Sequence, residues 1–92
     1  MNLSTNAKVL LATACSSPGK QIINNSKNLD NNKYVSVNGQ AMNGESFESY
    51  SLWVSALEEL IANDLVKQST NEIVFNVTHA GIMQDKVYQD NS

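Results

Sequence analysis

The fold is decided by residues 46–81, SFESYSLWVSALEELIANDLVKQSTNEIVFNVTHAG. The first half of this stretch places apolar residues at helical spacing: Tyr50, Trp53, Val54, Leu57, Leu60 and Ile61. We therefore predict one continuous helix from Ser46, its N-cap, to about Asn63. Asn63 and Asp64 should end the helix, because asparagine tolerates the left-handed conformation of a helix C-cap and Leu65 can fold back onto the apolar face.

The second half of the stretch predicts a β-hairpin wing followed by another helix. Residues 65–68 are expected to pair with residues 73–78, where Ile73, Phe75 and Val77 alternate with their neighbours as in a half-buried strand. Thr78 is placed to cap a final helix of about ten residues. Its expected packing positions are Ile82, Met83 and Val87.

The chain begins with a shorter amphipathic helix. Ser4 or Thr5 is a suitable N-cap, and small or apolar residues recur on one helical face at Leu3, Ala7, Leu10, Leu11 and Ala14. Pro18 and Gly19 should end this helix, since proline disfavours helical geometry in the residue before it and glycine enters turns freely.

Residues 21–42 carry strand and turn signals and no clear helix. Short strands are predicted at 21–23, 34–37 and 40–42, and Asn38-Gly39 is the strongest turn signal in the chain. The polar residues 24–33 include five asparagines and predict a loop or a hairpin tip. Whether the segment forms a β-meander or remains a loop stays open.

These elements predict a single α+β domain spanning residues 1–92. Ninety-two residues can bury one small core. The order is an N-terminal helix, a short β-meander, a long helix, a β-hairpin wing and a C-terminal helix. We expect Trp53, Leu57, Leu60, Phe75 and Val77 to share that core with Leu10 and Leu11.

The charge composition argues against a protein that reads DNA. The formal net charge is −3, from six lysines, nine acidic residues and no arginine. Arginine makes the bidentate contacts that distinguish guanine, and cationic residues that neutralise phosphates supply sequence-independent affinity. The predicted long helix instead presents acidic or neutral positions outward: Glu48, Ser51, Ser55, Glu58, Glu59 and Ala62.

The residue inventory does not predict an enzyme, a metal site or a bound cofactor. Cys15 and His79 are the only cysteine and histidine, too few for a structural zinc site. A Cys15–His79 nucleophilic pair would need the fold to bring them together, and no third residue is evident to orient the histidine. We expect His79 to face solvent in the first turn of the last helix.

Cys15 also decides the expected compartment. A single cysteine forms no intramolecular disulfide. The segment before Cys15 contains too few apolar residues to be the hydrophobic core of a lipoprotein signal peptide. A buried cysteine on the apolar face of the first helix is the simpler interpretation. No membrane association is predicted, and the expected location is cytoplasmic.

The segment 56–66, ALEELIANDLV, and the segment 72–81, EIVFNVTHAG, resemble the ends of small bacterial and phage winged-helix domains. In that family a tryptophan precedes an A-L-E-E-L helix, as Trp53 does here, a G-L-I/V corner follows, and a strand ends in V-T-x-x-G. Asp64 stands where the family usually has glycine, and Ile82 where an aromatic is common. The resemblance implies a winged-helix-like fold and transfers no catalytic residue.

The sequence leaves two candidate binding functions. The first is a protein-binding module, such as a phage or mobile-element accessory protein that acts on a host protein or complex. Thirteen asparagines and the lysine-only basic set fit the AT-rich genomes of such sources. The alternative is a DNA-binding transcriptional regulator that uses loop and wing lysines, at Lys20, Lys27, Lys33 and Lys67. Weak or absent DNA binding is our expectation, and a homodimer stays open.

Candidate contact residues for a partner lie around the start of the long helix and on the wing. They are Phe47, Glu48, Tyr50 and Lys67. Trp53 has two interpretations, a core residue or part of an exposed apolar patch with Phe47 and Tyr50. The core interpretation is preferred, because a domain of this size has few large side chains to spare from its interior.

Overall fold

The computed structural model describes residues 2–25, 34–42 and 47–90, and it describes Phe47 and Glu48 by their backbone alone. The expected N-cap Ser46 and most of the polar loop, residues 26–33, lie outside the described residues. Within the described residues, three helices and five strands follow one another in the order α1, β1, β2, β3, α2, β4, β5, α3.

The helices lie where the periodicity placed them. They are α1 (Thr5–Ser16), α2 (Phe47–Ala62) and α3 (His79–Asp90). The Ser4 hydroxyl caps α1 by accepting a hydrogen bond from the Ala7 amide at 3.2 Å. The Thr78 hydroxyl caps α3 by accepting one from the Gly81 amide at 3.0 Å. Both predicted N-caps are confirmed, with Ser4 rather than Thr5 at α1.

The C-terminus of α2 is closed by a left-handed residue. Asp64 has a φ of 60°, while the Leu65 amide donates to the Leu60 carbonyl and the Asp64 amide to the Ile61 carbonyl, each at 3.0 Å. This pair of bonds is a Schellman motif, and Leu60 and Leu65 are both buried beside it. The predicted helix end is confirmed, with Asp64 in the left-handed position.

All five strands form one antiparallel sheet. They are β1 (Gln21–Asn25), β2 (Tyr34–Val37), β3 (Gln40–Ala41), β4 (Val66–Gln68) and β5 (Val74–Val77). Their spatial order is β3-β2-β1-β5-β4. Strands β1–β3 are neighbours in chain order, so the described part of residues 21–42 is a meander. Asn38 and Gly39 have φ values of 51° and 82°, as a tight two-residue hairpin turn requires.

The sheet joins the two halves of the chain, which the sequence did not predict. Ile22 of β1 lies opposite Phe75 of β5, and Val66 of β4 lies opposite Val77. The expected antiparallel wing, β4 and β5, is therefore not a separate hairpin. Strand β1 pairs with β5 and joins the wing to the β1–β3 meander.

One apolar cluster fills the space between the helices and the sheet. Leu10, Leu11, Leu57, Leu60 and Phe75 are buried in it, and Trp53 and Val77 pack against it while partly exposed. The predicted shared core is confirmed, and it contains every buried apolar side chain of the described residues. The structure is thus of the α+β class.

The packing face of α3 differs from the predicted one. Met83 and Val87 are 47% and 49% exposed, while Gly81 is buried and Tyr88 packs against the core. A Cβ atom at Gly81 would overlap the Leu65 carbonyl oxygen, so only glycine permits this approach. The approach fixes the rotation of α3 about its axis, and it turns Met83 and Val87 outward.

Candidate functional site

A groove of about 440 Å³ lies between the start of α1 and the middle of α2. The α1 side is formed by the N-cap Ser4 and by Thr5 and Asn6. The α2 side is formed by Leu52, Ser55, Ala56 and Glu59. Ala56 is 2% exposed and belongs to the floor, whereas Leu52 is 58% exposed and stands at the rim.

The helices that border the groove are tied together at one end by a carboxylate. Glu59 accepts hydrogen bonds from the Ser4 amide at 2.7 Å and from the Ser4 hydroxyl at 2.8 Å. The Ser4 amide precedes the first turn of α1, where backbone donors lack partners within the helix and a negative charge is favoured. Glu59 was expected to point outward, but its side chain instead holds α1 against α2.

The solvent face of α2 has acidic and neutral character. Ser51, Ser55, Glu58 and Ala62 are exposed, as predicted. Between Lys33 and Lys67 the sequence contains five acidic residues and no basic one. A phosphate backbone approaching this face would therefore meet carboxylate charge and no cation from this part of the chain.

Leu52 is the residue of this surface that sequence reasoning missed. It has the largest exposed fraction among the large apolar side chains of the described residues. The sequence offers one signal for Leu52. It lies off the apolar stripe of α2, because it falls about 100° from Trp53 around the helix. A leucine off the stripe is either incidental or a contact residue, and the groove beside Leu52 is visible only in the folded chain.

Of the four predicted contact residues, the structure describes the side chains of Tyr50 and Lys67. The side chains of Phe47 and Glu48 lie outside the described residues. Tyr50 is 8% exposed, and its hydroxyl donates to the Asn24 carbonyl oxygen Oδ1 at 2.8 Å. Lys67 is exposed on β4, opposite Asn76 of β5. Partner contacts by these residues stay a prediction, although burial leaves little of Tyr50 for a partner.

Trp53 supports the core interpretation. Its side chain is partly exposed and packs against the central apolar cluster. Trp53 is therefore a half-buried core residue and not the centre of an exposed patch.

Cys15 has the environment of a packing residue. It is partly exposed on α1 and packs against the core, and burial together with the charge of Asp85 raises the pKa of its thiol to about 11. A thiol with this pKa is almost entirely protonated near neutral pH and is a poor nucleophile. His79 is the first residue of α3 and is exposed, as predicted.

The described part of the chain has no cluster of potential metal ligands and no membrane-spanning helix. No three His, Cys, Asp or Glu side chains of that part are grouped so that they could hold a metal ion. None of the helices described there is long and apolar enough to cross a bilayer.

No family model, curated protein or solved structure matches this chain in the three comparisons.

Proposed function

We propose that this chain is a non-enzymatic, winged-helix-like protein-binding module. The observation that carries the proposal is the surface of α2, where Leu52 is 58% exposed beside a groove and the flanking charge is acidic. Apolar side chains at the rim of a groove are typical of protein contacts, whereas duplex DNA selects basic surfaces. A phage or mobile-element accessory protein that acts on a host protein complex is the role that we infer.

The winged-helix-like part of the proposal rests on element order. A winged helix has a helix, a strand, a second helix, a recognition helix and a wing. Here α1 and β1 are followed by α2 and the β4–β5 hairpin, and β1 pairs with β5. The strands β2 and β3 occupy the chain position of the second helix. Among the residues that the structure describes, a helix-turn-helix unit of the usual kind is therefore incomplete, which favours a partner other than a DNA groove.

The DNA-binding alternative depends on lysines that converge on one surface. The four lysines of the described residues lie on four different segments: Lys8 on α1, Lys20 before β1, Lys67 on β4 and Lys86 on α3. The Lys8 ammonium lies 4.9 Å from the centre of the Tyr88 ring. Lys20 and Asp85 are both near enough to the Cys15 thiol to shift its pKa, which Asp85 raises and Lys20 lowers. A carboxylate therefore lies in the neighbourhood of Lys20.

A pull-down from a host lysate, run beside a low-salt gel shift with a duplex of about 30 base pairs, tests the proposal. We expect capture of a defined protein and no submicromolar DNA shift. A second sample carries Lys20→Glu, Lys27→Glu, Lys33→Glu and Lys67→Glu. Submicromolar DNA binding that these charge reversals abolish would reject the protein-binding function and establish the DNA-binding alternative.

A further inference from the structure

We propose that Asn38, at the tip of the β2–β3 hairpin, is a site of non-enzymatic deamidation in the folded protein, and that its conversion to isoaspartate releases β3 from the sheet. The reaction needs water and no partner protein, so it is independent of the proposed protein-binding function. Its result is a slow covalent change at one edge of the sheet.

The chemistry uses the glycine that follows Asn38. The Gly39 backbone nitrogen, once a base has removed its proton, attacks the side-chain carbon Cγ of Asn38. A bond forms between that nitrogen and Cγ, the bond from Cγ to Nδ2 breaks, and Nδ2 takes up a proton and leaves as ammonia. Water then opens the cyclic imide at either of its carbonyl groups, which leaves aspartate or isoaspartate. Glycine favours the attack because it has no Cβ atom to crowd its nitrogen.

The hairpin tip leaves both reacting groups open to solvent. Asn38 and Gly39 are exposed, and a Cβ atom built on Gly39 would meet nothing within 4 Å. Two surface depressions border Asn38, one of about 410 Å³ beside α1 and one of about 340 Å³ beside β1. The residues paired across the turn are Val37 and Gln40, so sheet pairing does not occupy the Gly39 nitrogen. Water and a base can therefore reach the turn.

The backbone of the turn is one peptide rotation away from the reactive conformation. The φ values of Asn38 and Gly39, 51° and 82°, are those of a type I′ turn. In a type II′ turn Asn38 keeps its positive φ, while the rotated peptide turns the Gly39 nitrogen towards the Asn38 side chain. Both turn types join strands in two-residue hairpins, so the rotation leaves β2 and β3 paired. The folded hairpin therefore permits the attack.

Asn71, in the turn between β4 and β5, provides an internal comparison. It is exposed as Asn38 is, but the residue after it is Glu72. A side chain on the following residue crowds the attacking nitrogen. The side-chain oxygen Oδ1 of Asn71 also accepts a hydrogen bond from the Ile73 amide at 3.2 Å, which holds the side chain in place. Asn71 should therefore react more slowly than Asn38.

Isoaspartate in place of Asn38 changes the length of the turn. The main chain then runs through the former side chain, which adds a methylene group to a turn of two residues. Strand β3 has two residues, lies at the edge of the sheet and meets β2 through two residue pairs. Register in a hairpin is fixed by the turn, and so short a strand has little pairing to oppose a change in it.

The Met42 amide reports the release of β3. It donates a hydrogen bond to the Val35 carbonyl oxygen at 2.7 Å, directly after the last residue of β3. The Met42 side chain is partly buried and packs against the central core. Loss of β3 pairing should open this hydrogen bond and accelerate hydrogen exchange at the Met42 amide.

The first test is incubation of the folded chain at mildly alkaline pH, followed by peptide mass mapping. The Asn43→Gln variant is the background, because Asn43 lies outside the described residues and precedes the second Asn-Gly pair of the sequence. We expect faster deamidation at Asn38 than at Asn71, at a rate no more than about tenfold below that of Asn38 in denaturant. Stronger protection of Asn38 by the fold, or equal rates at Asn38 and Asn71, would reject the site.

The second test follows hydrogen exchange at the Met42 amide in the isoaspartate product after chromatographic separation. We expect exchange at least about tenfold faster than in the unmodified chain. Asn38→Asp and Asn38→Gly are the controls, because Asp-Gly and Gly-Gly suit a type I′ turn without lengthening the main chain. Both should keep the Met42 amide protected, and Asn38→Gly should also abolish the modification at this position. Unchanged exchange in the isoaspartate product, or equally fast exchange in Asn38→Asp, would overturn the release of β3.

Discussion

The Glu59 carboxylate accepts two hydrogen bonds from Ser4, one from its backbone amide at 2.7 Å and one from its hydroxyl at 2.8 Å. The Ser4 hydroxyl simultaneously accepts a bond from the Ala7 amide, so a single serine caps α1 and attaches it to α2. The two residues are 55 positions apart in the chain, and their contact forms one end of the candidate groove.

Replacement of Glu59 by alanine should lower the free energy of unfolding by about 1–2 kcal/mol, because both Ser4 donors lose a charged acceptor. Ser4→Ala should cost a similar amount through loss of the N-cap. A double-mutant cycle measured by urea denaturation should give a coupling of at least about 0.5 kcal/mol. Ser4→Ala keeps the backbone amide, so strict additivity of the two changes would show that the bond between the Ser4 hydroxyl and the Glu59 carboxylate contributes nothing to stability.

Gly81→Ala should destabilise the protein by about 2–3 kcal/mol, because the new Cβ would overlap the Leu65 carbonyl oxygen and approach the Val77 Cγ1 to 2.8 Å. Gly19→Ala is the control, since its Cβ would meet nothing closer than 3.9 Å. Thermal unfolding of the two variants should separate them clearly. If Gly81→Ala were as stable as Gly19→Ala, α3 would not pack as described.

Asp64→Gly should stabilise the protein by up to about 1 kcal/mol, because Asp64 occupies the left-handed region with a φ of 60°. The hydrogen bond from the Thr78 hydroxyl goes to the backbone carbonyl of Asp64 and survives this change. Asp64→Ala should give no such gain, since alanine keeps the Cβ penalty. Urea denaturation midpoints compare the two, and equal midpoints would argue against a left-handed Asp64.

Leu57→Ala should cost on the order of 2–5 kcal/mol, since Leu57 is 1% exposed in the centre of the core. Leu52→Ala, five residues earlier on the same helix, should change stability by less than about 0.5 kcal/mol. A near-neutral Leu57→Ala in equilibrium unfolding would mean that the buried face of α2 is assigned wrongly.

The Cys15 thiol should react at least about tenfold more slowly with iodoacetamide at pH 8 in the folded protein than in denaturant. Its pKa is raised from 9.0 to about 11, so the folded protein holds less thiolate at pH 8 than the unfolded chain does. The folded-state rate should rise as the pH approaches 11. Cys15→Ser provides the background rate, and equally fast alkylation in both states would contradict the buried environment.

Local patterns were sufficient to predict most secondary structure. The caps at Ser4 and Thr78, the turn at Asn38-Gly39 and the end of α2 near Asp64 each depend on a few neighbouring residues. The apolar spacing of α2 likewise identified Leu57 and Leu60 as core residues. Such features are encoded within one or two turns of chain, and a sequence therefore displays them directly.

The sequence by itself thus determined the helices, the short strands, the central core residues and the acidic character of α2. The tertiary structure decided which distant residues meet: Ile22 with Phe75 in one sheet, and Ser4 with Glu59 at the groove. It also decided that Met83 faces solvent, because the close approach of Gly81 to Leu65 sets the rotation of α3. Hydrophobic periodicity is a property of one element, whereas sheet order, helix rotation and grooves depend on how several elements pack together.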